Sequence, residues 1–289
     1  MAGRIVRLDE ARRRRLKRNR MSTPARVIAV TSGKGGVGKT HTSVNLGLAL
    51  TQQGKRVLLL DADLGLANIN IMLGFEPAAT LREVLTKEAS IEDVIVSHDL
   101  GFDIIPSGSG FPELSNLSEE ERALLVEALD ELGSNYDYMI VDTGAGIGSN
   151  VMYFCTAAEE IFVVVDCEPT SRTDAYALIK VLTNNHGVKN FSIIANRTPR
   201  GGDGKTTYGQ LAAACDRFLN VSLKYLGSIS DDSAVSEAVV AQRPFLELYP
   251  STRASLDITK IAKKVLESEG RRNPSGGMQF FFKALLENH

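Results

Sequence analysis

The chain has 289 residues, 43% hydrophobic and 24% charged, with a formal net charge of −2. That is the composition of an ordinary soluble globular protein, long enough to bury a full core without covalent staples. Three cysteines share no C-x-x-C spacing and four histidines are scattered, so neither a disulfide framework nor a histidine–cysteine metal centre is indicated.

The near-neutral total hides an asymmetry. Residues 1–20 carry nine basic and two acidic side chains, +7 against −9 for the rest. Arg12 to Arg15, Lys17, Arg18 and Arg20 form the densest run. No apolar h-region comes after it, so it does not read as a secretory signal. No stretch of about 18 apolar residues exists to span a membrane. Residues 1–25 are therefore read as a basic arm, which a solvated tail, a nucleic-acid contact or an anionic-lipid contact would each explain.

Past the arm, apolar runs alternate with helical patterns. Strands are predicted at Val27–Val30, Val57–Leu60, Phe102–Ile105, Met139–Val141, Ile161–Val165, Phe191–Ala195 and Tyr225–Leu226. Helical periodicity marks Thr40–Gln53, Glu119–Leu132, Ser171–Asn184, Gly209–Leu219 and Arg253–Glu267. Continuous Val/Ile/Leu strands between helices predict an α/β fold of three layers, a mostly parallel central sheet with helices on both faces. One domain over 26–270 is expected. The stretch 271–277 reads as a linker, and 278–289 as an amphipathic helix with Met278, Phe281, Phe282, Leu285 and Leu286 on one face. Such a helix suits reversible membrane binding, with docking on protein as the alternative.

The most informative residues are Gly33-Lys34-Gly35-Gly36-Val37-Gly38-Lys39-Thr40. Strand, G-x-x-x-x-G-K-T, then helix is the context of a P-loop, whose glycines turn backbone N–H groups toward phosphate oxygens. Lys39 is expected on the β- and γ-phosphates and Thr40 on Mg²⁺, with the His41 N–H completing the cradle. After the second strand, Asp61 and Asp63 lie where ligands bind in parallel sheets. Asp61 is expected to hold metal-bound water and Asp63 to orient the attacking water; turn-forming aspartates are the bland alternative. Asp142, after Tyr138-Met139-Ile140-Val141, reads as a Walker B aspartate. Thr143 comes next, where a glutamate base would stand, which strengthens the case for Asp63. Gly144 to Gly148 make a loop suited to sensing the γ-phosphate.

Lys34, just after the first glycine, makes the loop resemble the deviant Walker A of the MinD/ParA ATPases. The resemblance extends over about residues 26–268. Within that family, Asp61 to Asn68, Val141 to Gly148, Glu168-Pro169-Thr170-Ser171 and Thr173 to Lys180 are similar to the FlhG/FleN group of flagellar-number regulators. It implies an ATPase with ATP and Mg²⁺ as ligands, slow without a stimulator, in which Lys34 crosses an ATP-dependent homodimer to the partner's phosphates. It also implies that Asp63 activates water and that Asn196 recognises adenine, though a strand-end turn would also use an asparagine there. The implied partners are a second copy, an FlhF-like GTPase, flagellar switch proteins or a flagellar transcription regulator, and an anionic membrane surface reached by the C-terminal helix. The implied location is the cytoplasm and the inner face of the cell membrane. MinD-type division-site placement and ParA-type DNA partition share the catalytic residues. The acidic body argues against nucleic acid as a partner. His41 stands where many MinD-like chains have a second threonine, and Ser230 where many have proline. Asp9 to Arg15 only partly matches the element with which the group stimulates its GTPase.

Overall fold

A computed structural model describes residues 6–7, 25–64, 66–108, 117–118, 120–121, 124–125, 128–129, 132, 135–199 and 203–268. The arm, apart from the backbone of residues 6–7 and Ala25, lies outside the described residues, as do the linker 271–277 and the helix expected at 278–289.

Among the described residues, nine strands form one sheet: β1 (Val6–Arg7), β2 (Arg26–Ser32), β3 (Val57–Ala62), β4 (Val96–Ser97), β5 (Asp103–Ile105), β6 (Tyr138–Ala145), β7 (Glu160–Asp166), β8 (Asn190–Thr198) and β9 (Ser222–Ser230). Their spatial order is β1-β4-β5-β3-β6-β2-β7-β8-β9. The seven from β5 to β9 in that order are parallel, and β1 and β4 add an antiparallel edge. The fold class read from the sequence is the one observed.

Alternation along the strands explains the three layers. Ile28, Val30, Leu59, Ile140 and Phe162 point to one face, where they pack with Leu46 and Leu50 of the helix Lys39–Gln52 and with Ile258 and Ile261 of Arg253–Glu267. Leu58, Leu60, Met139 and Val141 point to the other, against Leu81, Leu125 and Phe154. Ala29, Val163 and Ile193 continue that second face toward Leu178 and Leu182 of the helix Pro169–His186. Both faces being covered is why these strands read as unbroken apolar runs rather than alternating ones.

One polar device closes the domain. Arg26 is 3% exposed and pairs with Glu160 at the start of β7. Its guanidinium also donates to Val265 O at 2.7 Å and Ser268 Oγ at 2.8 Å, pinning the end of the last helix to the sheet.

Candidate nucleotide site

The carboxyl ends of β2, β3 and β6 converge on one cleft of about 930 Å³. Gly33–Thr40 forms one wall. Gly36 (φ +76°) and Gly38 (φ +90°) take left-handed conformations that only glycine adopts without strain, and Gly38 opens the helix Lys39–Gln52 with no side-chain cap. The first-turn N–H groups therefore face the cleft, which is an anion site. Gly33 answers a different need. A Cβ there would lie 2.1 Å from the carbonyl carbon and oxygen of Asp174, so the P-loop rests directly on the helix that carries Thr173 to Lys180.

Lys39 is 9% exposed, and it and Thr40 line the cleft. Asp142 is buried on β6; its Oδ1 accepts from Ser43 Oγ at 2.8 Å, while its Oδ2 is buried without a hydrogen-bond partner. Beside it, paired in register across the sheet, lies Asp61. Asp61 Oδ2 accepts from the N–H groups of Asn68 (2.9 Å) and Ile69 (3.0 Å), and Oδ1 from that of Asp63 (3.2 Å). Its carboxylate thus shapes the turn after β3. Burial and the neighbouring Asp142 push Asp61 up to about 7, and burial pushes Asp142 up to about 6. Two adjacent buried carboxylates, with the Thr40 hydroxyl acting on Asp142, make a donor set that fits a divalent cation. Among the described residues no cluster of three or more His, Cys, Asp or Glu side chains could hold a metal alone. A Mg²⁺ ion here would take its remaining ligands from phosphate and water.

Asp63 is half-buried on the cleft wall across from Gly144, and Asn68 Nδ2 donates to its Oδ2 at 3.2 Å. Burial raises its pKa, and Lys39 works in the opposite direction. The Gly144–Gly148 loop is tied to the P-loop strand through Gly146 N to Ser32 O at 2.9 Å.

Lys34 is not among the residues that line the cleft. Its ammonium pairs with Glu168 and donates to Thr170 Oγ1 at 3.2 Å, both of its own chain. Glu168 holds the Lys34 pKa above its ordinary value. Asn196 is buried beneath the loop, with Nδ2 donating to Val37 O at 2.7 Å, so its amide nitrogen is committed to the P-loop. His41 lines the cleft, its pKa lowered by burial and by Arg197. Ser230 is not part of the lining. Its N–H and hydroxyl both donate to Asp257 Oδ2, and proline could supply neither bond.

Several lining residues escaped the sequence reading. Ser43, one helical turn beyond Lys39, was missed too; it does not line the cleft but is buried behind it on Asp142. Arg197, Asn150 and Gln242 reach the cleft from separate elements and carry no motif.

A family model described as "AAA domain" matches residues 25–193, more than half of the chain. The chain is 44% identical over 265 residues to the protein named "Antiactivator FleN" of Pseudomonas aeruginosa, covering 92% of this chain and 95% of that one. It belongs to the FleN/FlhG group of MinD/ParA P-loop ATPases. A second member, the "Flagellum site-determining protein YlxH" of Helicobacter pylori, is 35% identical, with 90% of this chain and 89% of that one aligned. Among solved structures, septum site-determining MinD of Pyrococcus horikoshii, complexed with Mg-ADP, superposes with a TM-score of 0.67 at 27% identity, covering 86% of this chain and 98% of that one. Nucleotide with Mg²⁺ is thus a ligand bound within the family, as in that Mg-ADP complex.

Proposed function

We propose that the chain is an ATP-driven dimerisation switch that regulates flagellar number or placement. The flagellar reading rests on the two flagellar relatives, which resemble the chain more closely over nearly its full length than the MinD structure does.

The observation that carries the switch is the position of Lys34. A lysine serving its own P-loop would point into the cleft, as Lys39 does. Lys34 instead is absent from the cleft lining and rests, partly exposed, on Glu168 and Thr170, where a twofold mate could take it. Around the cleft, Leu66 (71%), Ile71 (60%) and Val239 (44%) stand exposed. Isolated exposed apolar residues are common, but three bordering one cleft support a face that a second copy covers.

In this reading the P-loop amides and Lys39 bind the phosphates, and Thr40 and Asp142 hold Mg²⁺, with Asp61 fixing the turn that aims Asp63. The cation, when bound, neutralises phosphate charge. Asp63 orients and deprotonates the attacking water, and Lys34 from the partner stabilises charge developing in the transition state. Asn196 Oδ1, which the P-loop bond leaves free to accept, suits the exocyclic amine of adenine. Turnover is slow until a partner acts. Reversible attachment to an anionic membrane through 278–289, an FlhF-like GTPase, and flagellar switch proteins or a transcription regulator complete the proposal.

Light scattering in saturating ATP tests it. Parent protein should be dimeric with ATP and monomeric with ADP. Asp63→Ala should remain an ATP-bound dimer without turnover, and Lys34→Ala should lose turnover. A monomeric Asp63→Ala in saturating ATP would overturn the switch.

A further inference from the structure

A second cavity lies away from the nucleotide, beside the antiparallel edge of the sheet. It is a groove of about 460 Å³ with an apolar floor of Val84, Ile91, Leu124 and Ala128. Glu88, Glu92 and Asp93 stand on its wall, with Lys87 as the cation among the lining residues. Glu88 and Asp93 are exposed, and Glu92 is half-buried.

The register of β1 shows which segment comes to this groove. Val6 pairs with Ser97 and Arg7 with Val96, antiparallel. Continued beyond Arg7, that antiparallel register would point toward Ile95, Val94 and Asp93, the groove's near end. Each extended residue spans about 3.3–3.6 Å, so the four residues 8–11 could reach at most about 13–14 Å beyond Arg7. Next in the chain comes Arg12-Arg13-Arg14-Arg15-Leu16-Lys17-Arg18, its most cationic run. Leu16 supplies an apolar side chain for the floor among cations that match the acidic wall. Topology, apolar character and charge agree on one occupant.

We infer that the basic arm, residues 8–20, docks in cis into the Glu88–Glu92–Asp93 groove, anchored by the β1–β4 pairing. Docking parks the arm's positive charge against the acidic body, so that nucleic acid, lipid or a protein partner must compete for it. The groove also connects with the nucleotide site. The helix Leu81–Leu85 forms its floor through Val84, and Leu81 N donates to Pro106 O at 3.0 Å. One residue on, Ser107 Oγ donates to the carbonyl of Asp63 at 3.3 Å. Arm position and the turn that bears Asp63 thus share one stretch of hydrogen-bonded chain.

The test uses full-length protein with ADP, dilute enough to be monomeric. Carbodiimide joins lysines to carboxylates in contact, and Lys17 is the only lysine in the arm. The expected product, identified by mass spectrometry, links Lys17 to Glu88, Glu92 or Asp93. Limited trypsin digestion gives an independent reading. The arm should be cut about fivefold faster in a Glu88→Gln/Glu92→Gln variant than in the parent, the size expected from losing two exposed charge pairs. Raising salt to about 0.5 M should produce a similar acceleration in the parent. Nucleotide binding reports that the variant is folded. Three results would overturn the inference: Lys17 cross-linking elsewhere on the body or not at all, cross-links joining isotopically labelled to unlabelled chains, or equal cleavage of parent and variant at every salt concentration.

Discussion

The buried Asp61–Asp142 pair makes the nucleotide-free protein pay for its own active site as pH rises. An aspartate ordinarily titrates near 3.8; in the fold Asp61 is raised to about 7 and Asp142 to about 6. Below about pH 4 both are protonated whether the chain is folded or not, and the native state carries no penalty. Between about pH 4 and 7 the unfolded chain releases these protons while the fold retains them, so stability is lost as pH rises through the folded values. For Asp142 the two-unit shift corresponds to about 3 kcal/mol at pH 8, a large share of a typical 5–15 kcal/mol total. In a domain of this size that is roughly 6–12 °C of melting temperature. Thermal unfolding followed by circular dichroism, in chelator and without nucleotide, should show Asp142→Asn gaining stability over the parent at pH 8. The gain should fall to about half by pH 5, where the folded carboxyl is neutral but the unfolded one is still ionised, and approach zero only below about pH 4. Mg-ADP should raise the parent most at pH 8, because the cation relieves the same repulsion, and should do little for the variant. A gap between parent and variant that stays constant from pH 5 to pH 8 would refute the argument.

Gly33→Ala should be more damaging than an ordinary loop substitution, because its Cβ would collide with main-chain atoms of Asp174 rather than with a side chain that can yield. A loss of about 1–3 kcal/mol in urea unfolding, together with lost nucleotide binding, is expected. Asn196→Ala removes the donor on Val37 O and should weaken ATP binding about tenfold by calorimetry, at a cost of about 1–2 kcal/mol. Arg26→Ala leaves Glu160 and the Val265 carbonyl without their cation. Chemical denaturation should show a loss of about 3 kcal/mol or more, with the cleft chemistry intact in whatever fraction folds.

The central strands were legible because burial on both faces writes itself as uninterrupted apolar runs, and β2, β3 and β6 to β8 each contain the segment expected. The edges were not. β9 runs from Ser222 to Ser230, far beyond the expected Tyr225–Leu226, because an edge strand is half-exposed and Ser222, Lys224, Ser228 and Ser230 break the pattern. Val96–Ser97 is too short to show any period. The helix Leu81–Leu85 did carry a local signal, the Thr80 and Glu83 capping box, in which each end satisfies the other's backbone donor. The P-loop was readable because its glycines serve backbone geometry that no other residue supplies.

What the sequence could not reveal is how contacts distant in the chain divide each residue's atoms. The motif makes Asp61 a metal-side carboxylate, yet three backbone N–H groups occupy its oxygens, whereas Asp142 keeps one oxygen free. Similarly, Asn196 gives one amide N–H to the Val37 carbonyl of the P-loop. Both assignments arise from the parallel register that sets β3 beside β6 and brings the end of β8 beneath the P-loop. In the proposed switch, Lys34 must give up Glu168 and Thr170 before it reaches a partner's phosphates. On that reading a nucleotide does more than fill a prepared cleft: it recruits a mate, and the exchange of one ion pair for another offsets the cost of bringing two acidic bodies together.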